Sequence, residues 1–156
     1  MNQERVIALI NNAFESVRER EKDLITGCTC EECLEIRKDF AGKQPEELED
    51  DRMRFHSWDM GFLTSEARQY YLPGWVRLGI TQPQSNYTDA VIQILGYSKG
   101  WGPSGGYTVV QRRAIFEFLK LIKTREDRCG DLDFDIAWDE WATDSESVSP
   151  NEESQQ

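Results

Sequence analysis

The chain has 156 residues, and its 38% of hydrophobic side chains are enough to fill the core of one domain of ordinary size. No apolar run is long enough to cross a bilayer, so the sequence predicts no association with a membrane. The opening stretch, MNQERVIALINNAF, interrupts its apolar residues with charges and amides, unlike a secretory signal peptide, so we expect a cytoplasmic protein.

The formal net charge of -11 is concentrated at the C-terminal end. Residues 126–156 contain eleven acidic residues and one basic residue, a balance of -10, which leaves 18 acidic and 17 basic residues for the rest of the chain. A nucleic-acid-binding protein needs cationic groups against phosphates, so this distribution argues against direct nucleic-acid binding. It favours a basic protein partner, with a purely solubilising tail as the alternative.

Apolar residues at helical spacing predict the first helices of the chain. The first helix is expected over 4–20, and the second over 31–41, where Gly42 is well placed to end it. One face of the second helix carries Cys33, Ile36, Arg37 and Phe40. The segment 51–62 has a looser helical pattern.

The stretch LTSEARQYYLPGWV, residues 63–76, is the centre of the predicted core. Thr64 is a natural N-cap for a helix, and the paired tyrosines fall on its inward stripe. Proline lacks an amide hydrogen and its ring crowds the preceding turn, so Pro73 predicts a kink or a restart within 64–80.

Two more helices are predicted in the second half of the chain. Thr88 can cap one that continues to Leu95. Thr108 and Gln111 have the spacing of a capping box, ahead of a helix that extends to about Glu126. The residues expected to face inward on this last helix are Val110, Ala114, Ile115, Phe118, Leu119 and Ile122.

The sequence therefore predicts an all-α protein, because no strand-like alternation of convincing length occurs in it. We expect a single compact domain of about five to seven helices over 1–126. An acidic, aromatic and helical segment follows over 127–142. The composition of 143–156, rich in Ser, Glu and Gln, predicts a disordered tail.

Acidic and aromatic residues alternate just before that tail, and this stretch is the predicted partner-binding site. Its residues are Asp131, Asp133, Phe134, Asp135, Trp138, Asp139, Glu140 and Trp141. A helix would place the three aromatic residues on one face, and tryptophan anchors ringed by charge are typical of interface hot spots. The alternative is that the aromatic face docks on the domain and leaves only the acids in water.

Three cysteines, Cys28, Cys30 and Cys33, lie within a span of six residues, and His56 is the only histidine of the chain. Thiolate sulfur and imidazole nitrogen are the usual ligands of tetrahedral zinc, so these four residues predict a Cys3His site. Cys129 is the alternative fourth ligand. The alternatives without metal are three reduced thiols, with Cys33 as a small buried hydrophobe, or a Cys28–Cys33 disulfide, which a cytoplasmic location disfavours.

Several motifs in the first 80 residues occur in a recognisable order. They are Ile10-x-x-Ala13-Phe14, Cys33-Leu-Glu-Ile36, Phe40-Ala-Gly42-Lys, the segment with His56, Leu63-Thr-x-Glu-Ala67 and Tyr70-Tyr-Leu-Pro73. This order resembles a family of small uncharacterised bacterial proteins, a domain of unknown function. The resemblance implies an all-helical fold and no particular activity.

The leading hypothesis is a non-enzymatic binding protein that engages a basic protein partner, most concretely an immunity protein or inhibitor of a nucleic-acid-targeting toxin. The second is a zinc-stapled structural or regulatory module built on the Cys28–Cys33 cluster. The third is a small thiol enzyme with Cys30 or Cys28 as nucleophile and His56 as base. We rank the enzyme last, because the negative charges of Glu31 and Glu32 oppose formation of a thiolate.

Overall fold

The structure of the protein, a computed structural model, describes residues 2–47, 51, 55–56, 58–82, 87–96 and 106–146, with the backbone alone for 143–146. Over these ranges the chain forms six α-helices and no β-strand, which confirms the predicted all-α class. The helices are α1 (Gln3–Ala13), α2 (Glu31–Phe40), α3 (Ser65–Thr81), α4 (Tyr87–Gly96), α5 (Val109–Arg125) and α6 (Leu132–Glu146). None of them is long and apolar enough to span a bilayer.

The backbone packs as two compact units. The terminal unit comprises Met1–Ala13 and Leu95–Gln156, and the central unit comprises Phe14–Ile94. The acidic segment 127–142 belongs to the terminal unit, together with α1 and α5.

In the terminal unit, α1 and α6 both pack against α5. The predicted capping box begins α5: the Gln111 amide donates to Thr108 Oγ1 at 3.1 Å, and the Thr108 amide donates to Gln111 Oε1 at 3.0 Å. Five of the six residues predicted to face inward are buried, but Val110 is 45% exposed, so that assignment was wrong. The buried stripe begins instead at Gln111, because the capping box holds its side chain inward.

Helix α1 is shorter than the predicted 4–20. Val6, Ile10, Ala13 and Phe14 are buried as expected, but the helix ends at Ala13 and a turn follows, in which the Val17 amide donates to the Phe14 carbonyl at 3.1 Å. Between Phe14 and Ile25 no side chain is buried. A helix depends mainly on packing of its apolar face, so it ends where that packing ends.

Helix α6 is attached to its unit by two aromatic side chains. Trp141 is fully buried, its Nε1 donates to the Leu95 carbonyl at 3.0 Å, and its ring meets that of Tyr107 edge-on at 5.3 Å. Phe134 is only 4% exposed. The predicted aromatic face therefore exists and is used to dock the helix.

The central unit is built around α3, which begins as predicted: Thr64 Oγ1 accepts from the Ala67 amide at 3.2 Å. The helix continues without a break through Pro73 to Thr81, so the predicted restart was wrong. Every residue from Tyr71 to Val76 is buried. An internal proline costs about 3 kcal/mol, and burial of each large apolar side chain contributes about 1.5–3 kcal/mol, so the packing outweighs the lost hydrogen bond.

Helices α2 and α4 are joined to α3 by hydrogen bonds. Tyr71 donates to the Phe40 carbonyl at 2.8 Å, where α2 ends ahead of Gly42 with its φ of 74°, as predicted for the stop. Thr88 was predicted to cap α4 but lies inside it, and its Oγ1 donates to the Gly79 carbonyl at 3.0 Å. The absence of a Cβ at Gly79 allows this close approach.

Two predicted segments lie partly outside the described residues. Within 51–62, Asp51 and residues 55–56 are helical, and a 3-10 turn covers Met60–Phe62. Within the predicted disordered tail, the backbone of 143–146 forms the last turn of α6, and residues 147–156 lie outside the described part.

Gly96, the last residue of α4, packs closely against the backbone of α6 within the terminal unit. A Cβ on Gly96 would lie 2.6 Å from the Asp133 carbonyl oxygen and 3.2 Å from the Ala137 amide nitrogen, and both are backbone atoms that cannot swing away. We expect Gly96→Ala to lower the free energy of unfolding by about 1–3 kcal/mol, measured by urea denaturation. Gly61→Ala is the matched control, because a Cβ there meets nothing within 4 Å. Equal stability of the two variants would contradict this packing.

Candidate functional site

The three clustered cysteines lie at the start of α2. Cys30 is the N-cap residue, with an extended backbone (φ -64°, ψ 168°), and Cys33 lies in the first turn of the helix, where it faces the core. Cys28 is exposed, Cys30 is half-buried and Cys33 is fully buried. The three sulfur atoms all lie within 4.8 Å of one another. The structure thus brings together three of the four predicted metal ligands.

A buried arginine on the same helix holds the loop that carries Cys28. Arg37 Nε donates to Thr26 Oγ1 at 2.8 Å, and Arg37 Nη2 donates to the Thr26 carbonyl at 2.9 Å. Thr26 Oγ1 in turn donates to the Cys28 carbonyl at 3.0 Å. The Cys28 backbone is therefore tied to α2 before any ligand arrives.

The start of α3 fixes the other side of this loop. Thr64 donates twice to it, from its amide to the Ile25 carbonyl at 2.9 Å and from Oγ1 to the Leu24 carbonyl at 2.8 Å. Thr26 and Leu63 also form an isolated antiparallel bridge. Two helices of the central unit hence position the loop.

The surroundings of Cys28 and Cys33 shift the pKa values of their thiols in opposite directions. The Cys30 amide donates to Cys28 Sγ at 3.2 Å, and this hydrogen bond lowers the pKa of the Cys28 thiol. Burial raises the pKa of the Cys33 thiol to about 11, since a thiolate there loses its water. Without a bound cation, Cys28 is thus the better nucleophile and Cys33 stays protonated at neutral pH.

This group of sulfurs has the geometry to hold a metal ion. A zinc–sulfur bond is about 2.3 Å long, so tetrahedral coordination places neighbouring sulfurs about 3.8 Å apart. The observed separations of up to 4.8 Å need only small rotations of the side chains to reach that distance. Among the described residues, no other Cys, His, Asp or Glu joins the group.

His56, the fourth predicted ligand, belongs to another cluster in the same unit. Its Nε2 lies 2.8 Å from Asp39 Oδ2 and its Nδ1 lies 3.1 Å from Asp59 Oδ2. The ring is 1% exposed and packs against Phe40 at a centroid distance of 5.0 Å. Both nitrogens are therefore occupied, so the predicted Cys3His set is not assembled.

The other predicted uses of these residues find less support. Cys129, the alternative fourth ligand, is exposed in the terminal unit, where its amide donates to Asp127 Oδ1 at 3.0 Å. The proposed thiol enzyme needs His56 as a base for Cys30, but both ring nitrogens face aspartates. Cys30 Sγ lies instead 3.7 Å from Glu32 Oε2.

The predicted partner-binding residues separate into two groups on α6. Phe134 and Trp141 are buried, so they stabilise the docked helix and are closed to a partner. Trp138 is half-buried, with the Phe116 ring 4.8 Å away and Lys123 Nζ 4.4 Å above its own ring. The aromatic half of the predicted site is thus occupied within the unit.

The acidic half of that site is wholly or partly exposed, and one of its members also has a structural role. Asp133, Asp135 and Asp139 are exposed, and Glu140 is half-buried. Asp131 caps α6, since its Oδ1 accepts from the Phe134 amide at 3.2 Å, and its Oδ2 pairs with Arg128 Nη1 at 3.0 Å. Asp131 therefore has a structural role at the helix start.

A cavity of about 340 Å³ opens beside this acidic face, between the end of α5 and the start of α6. It is lined by Lys123, Glu126, Asp127, Arg128, Cys129, Phe134, Asp135 and Trp138. Arg128 lines it and pairs with Glu126 as well as with Asp131. Its mixed charge does not point to one class of ligand.

Sequence reasoning missed the residues that support both clusters. The helical pattern placed Arg37 on the inward face of α2. A cation on an inward face, close to three cysteines, was the available clue to its role. No sequence pattern pointed to the roles of Thr26, Asp39 and Asp59. Their hydrogen-bond partners lie between three and seventeen residues away, at spacings that follow no motif.

Comparisons with protein-family models, with curated proteins and with solved structures find no match for this chain. The resemblance to a family of small bacterial helical proteins therefore stays a prediction.

The different surroundings of Cys28 and Cys33 predict different reactivity in the reduced, metal-free protein. We expect iodoacetamide to modify Cys28 rapidly and Cys33 only after unfolding in urea, as followed by tandem mass spectrometry. Because the pKa of Cys28 is lowered in the folded state, its alkylation rate should reach a plateau at a lower pH in folded than in unfolded protein. Equal rates for the two thiols in folded protein would contradict this assignment.

Proposed function

We propose that this chain is a zinc-binding module, with Cys28, Cys30 and Cys33 as its three protein ligands. The observation that carries the proposal is the convergence of the three sulfurs within 4.8 Å, on a loop that hydrogen bonds hold in place. Thiolates prefer soft or borderline cations, which favours zinc over magnesium or calcium.

The arrangement leaves one coordination position to a ligand from outside the group. Structural zinc sites use four protein ligands, whereas sites with three keep an open position for water or an exogenous group. Cys28, the exposed member, lies on the solvent side of the group, so this is where a fourth ligand has access. Water or a side chain of a bound partner could fill the position.

A metal ion here would join two segments of the central unit. Cys30 and Cys33 belong to the start of α2, whereas Cys28 belongs to the loop that Thr64 ties to α3. Bound zinc stabilises the folded state, because the ligand set is preformed only there. The ion would also deprotonate Cys33, whose pKa burial otherwise raises to about 11.

The test is the metal content of protein purified under reducing conditions, measured by elemental analysis and by release to a chromogenic chelator. We expect one zinc ion per chain, lost in Cys28→Ser, a substitution at an exposed site that leaves the core intact. Cys129→Ser is the matched control and should retain the metal. Cobalt substitution should give thiolate-to-metal absorption that also disappears in Cys28→Ser.

Two outcomes would overturn the zinc proposal. One is protein that contains no metal and gains no thermal stability when zinc is added. The other is a stoichiometry that Cys28→Ser leaves unchanged.

A second candidate function is supported by the acidic face of α6. Docking of Phe134 and Trp141 fixes the helix, so that Asp135 and Asp139, four residues apart, share one exposed face. We propose that this face binds a basic protein by charge complementarity. Its most concrete form is an immunity protein or inhibitor of a toxin that acts on nucleic acid, since such toxins are basic where they hold phosphates.

Co-purification from the source cells at low and high salt tests this second function. We expect wild-type bait to retain a basic protein that salt releases, and the double variant Asp135→Lys, Asp139→Lys to lose it. Glu15→Lys, Glu21→Lys is the matched control, with the same change of charge at two exposed positions of the central unit. Retention of the same proteins by all three baits, or of no basic protein by any, would refute an acidic docking face.

A further inference from the structure

The three thiols differ in access as well as in position. Cys28 is exposed to solvent, while Cys33, whose sulfur lies within 4.8 Å of it, is fully buried. An oxidant dissolved in water can therefore reach Cys28 directly, and Cys33 only through a neighbouring sulfur. This is the arrangement of an attacking thiol paired with a resolving thiol.

We infer that Cys28 and Cys33 form a peroxide-sensitive thiol pair, whose oxidation to a disulfide releases the metal ion. This regulation rests on the zinc-binding function proposed above. It uses the same sulfurs, since two of the three metal ligands are consumed when the disulfide forms.

The chemistry needs only a hydroperoxide as oxidant. The Cys28 sulfur attacks one peroxide oxygen, the O–O bond breaks, and an alcohol or water leaves as Cys28 becomes a sulfenic acid. The Cys33 sulfur then attacks the Cys28 sulfur, the S–O bond breaks, and the hydroxyl group leaves as water. The proton for this water comes from the Cys33 thiol in metal-free protein and from solvent when zinc has held Cys33 as a thiolate. Two thiols are oxidised to one disulfide, and one hydroperoxide is reduced.

Cys30 is the less suitable partner for Cys28. One residue separates the two, so a disulfide between them would close a very small ring, in which the preferred disulfide geometry is hard to reach. Its sulfur is also engaged at 3.7 Å with the Glu32 carboxylate. Four residues separate Cys33 from Cys28, and its sulfur lies within 4.8 Å of the Cys28 sulfur, so it is the sulfur that resolves the sulfenic acid.

The hydrogen bonds around Thr26 keep the cysteine loop in place while the Cys28–Cys33 disulfide forms. Arg37 and Thr26 hold the Cys28 backbone beside α2 whatever the state of the sulfurs, because none of these hydrogen bonds involves a sulfur atom. The disulfide can therefore form by rotation of two side chains, without unfolding of the helix. Reduction by a dithiol returns the ligands to the metal.

The test is peroxide titration of the reduced, full-length protein, both as purified and after zinc has been removed. Hydrogen peroxide is the probe, remaining thiols are blocked with N-ethylmaleimide, and released zinc is read with a chromogenic chelator. Cleavage after Glu31 and Glu32 separates Cys33 from Cys28 and Cys30, so mass spectrometry detects a bond across that cut. We expect one disulfide across the cut and one zinc ion released for each disulfide, both reversed by dithiothreitol.

Three variants identify the pair. Cys30→Ser should still form the disulfide, Cys28→Ser should lose it, and Cys129→Ser should behave as wild type. A disulfide that persists in Cys28→Ser, or a Cys28 that proceeds to sulfinic acid without a disulfide, would overturn the inference. Zinc binding and disulfide formation are measured separately, so the two proposals can fail separately. Protein that binds no zinc, even when zinc is added, but still forms the disulfide refutes the zinc function and the metal release. Protein that binds zinc but forms no disulfide refutes the thiol pair alone.

Discussion

The candidate metal site depends on one buried guanidinium. Arg37 is 8% exposed, and it donates to both the side chain and the carbonyl of Thr26. Hydrogen bonds to a charged group are worth about 1.5–3 kcal/mol each, and a buried cation that lost them would be left unsolvated. The cation therefore fixes the loop more firmly than an apolar contact could, and the loop places the Cys28 sulfur within 4.8 Å of the Cys33 sulfur. The exposed Asp23 carboxylate, 3.6 Å from Nη1 and 90% exposed, adds little to this.

The aromatic side chains of α6 can either pack within the terminal unit or contact a partner. A tryptophan can anchor a partner only if it is exposed, but Trp141 has its ring and its Nε1 satisfied within the terminal unit. Lys123 covers the ring of Trp138 in a cation–π contact. What α6 offers to solvent is a set of carboxylates on a rigid helix, which suits electrostatic steering more than hot-spot binding.

The central unit contains two clusters of potential metal ligands, one around His56 and one formed by the three cysteines. Their surroundings give them different roles. His56 and the cysteines are all potential metal ligands, yet the histidine has a carboxylate on each nitrogen, whereas the thiols have one another. A buried ring with two hydrogen-bond partners is a structural element of the core. Three adjacent sulfurs with one exposed edge are available for chemistry, whether that chemistry is coordination or oxidation.

Local sequence rules determined much of this protein. The caps at Thr64 and Thr108, the stop at Gly42 and the apolar spacing of α5 and α6 depend on residues within one or two turns, so the sequence alone predicts them. The proximity of three cysteines follows likewise from their spacing. The tertiary structure decided the rest: α1 ends where its packing ends, α3 passes through Pro73 because its neighbours are buried, and His56 turns to Asp39 and Asp59. These outcomes depend on contacts between residues distant in the chain, whose energies exceed the local preferences that a sequence pattern records.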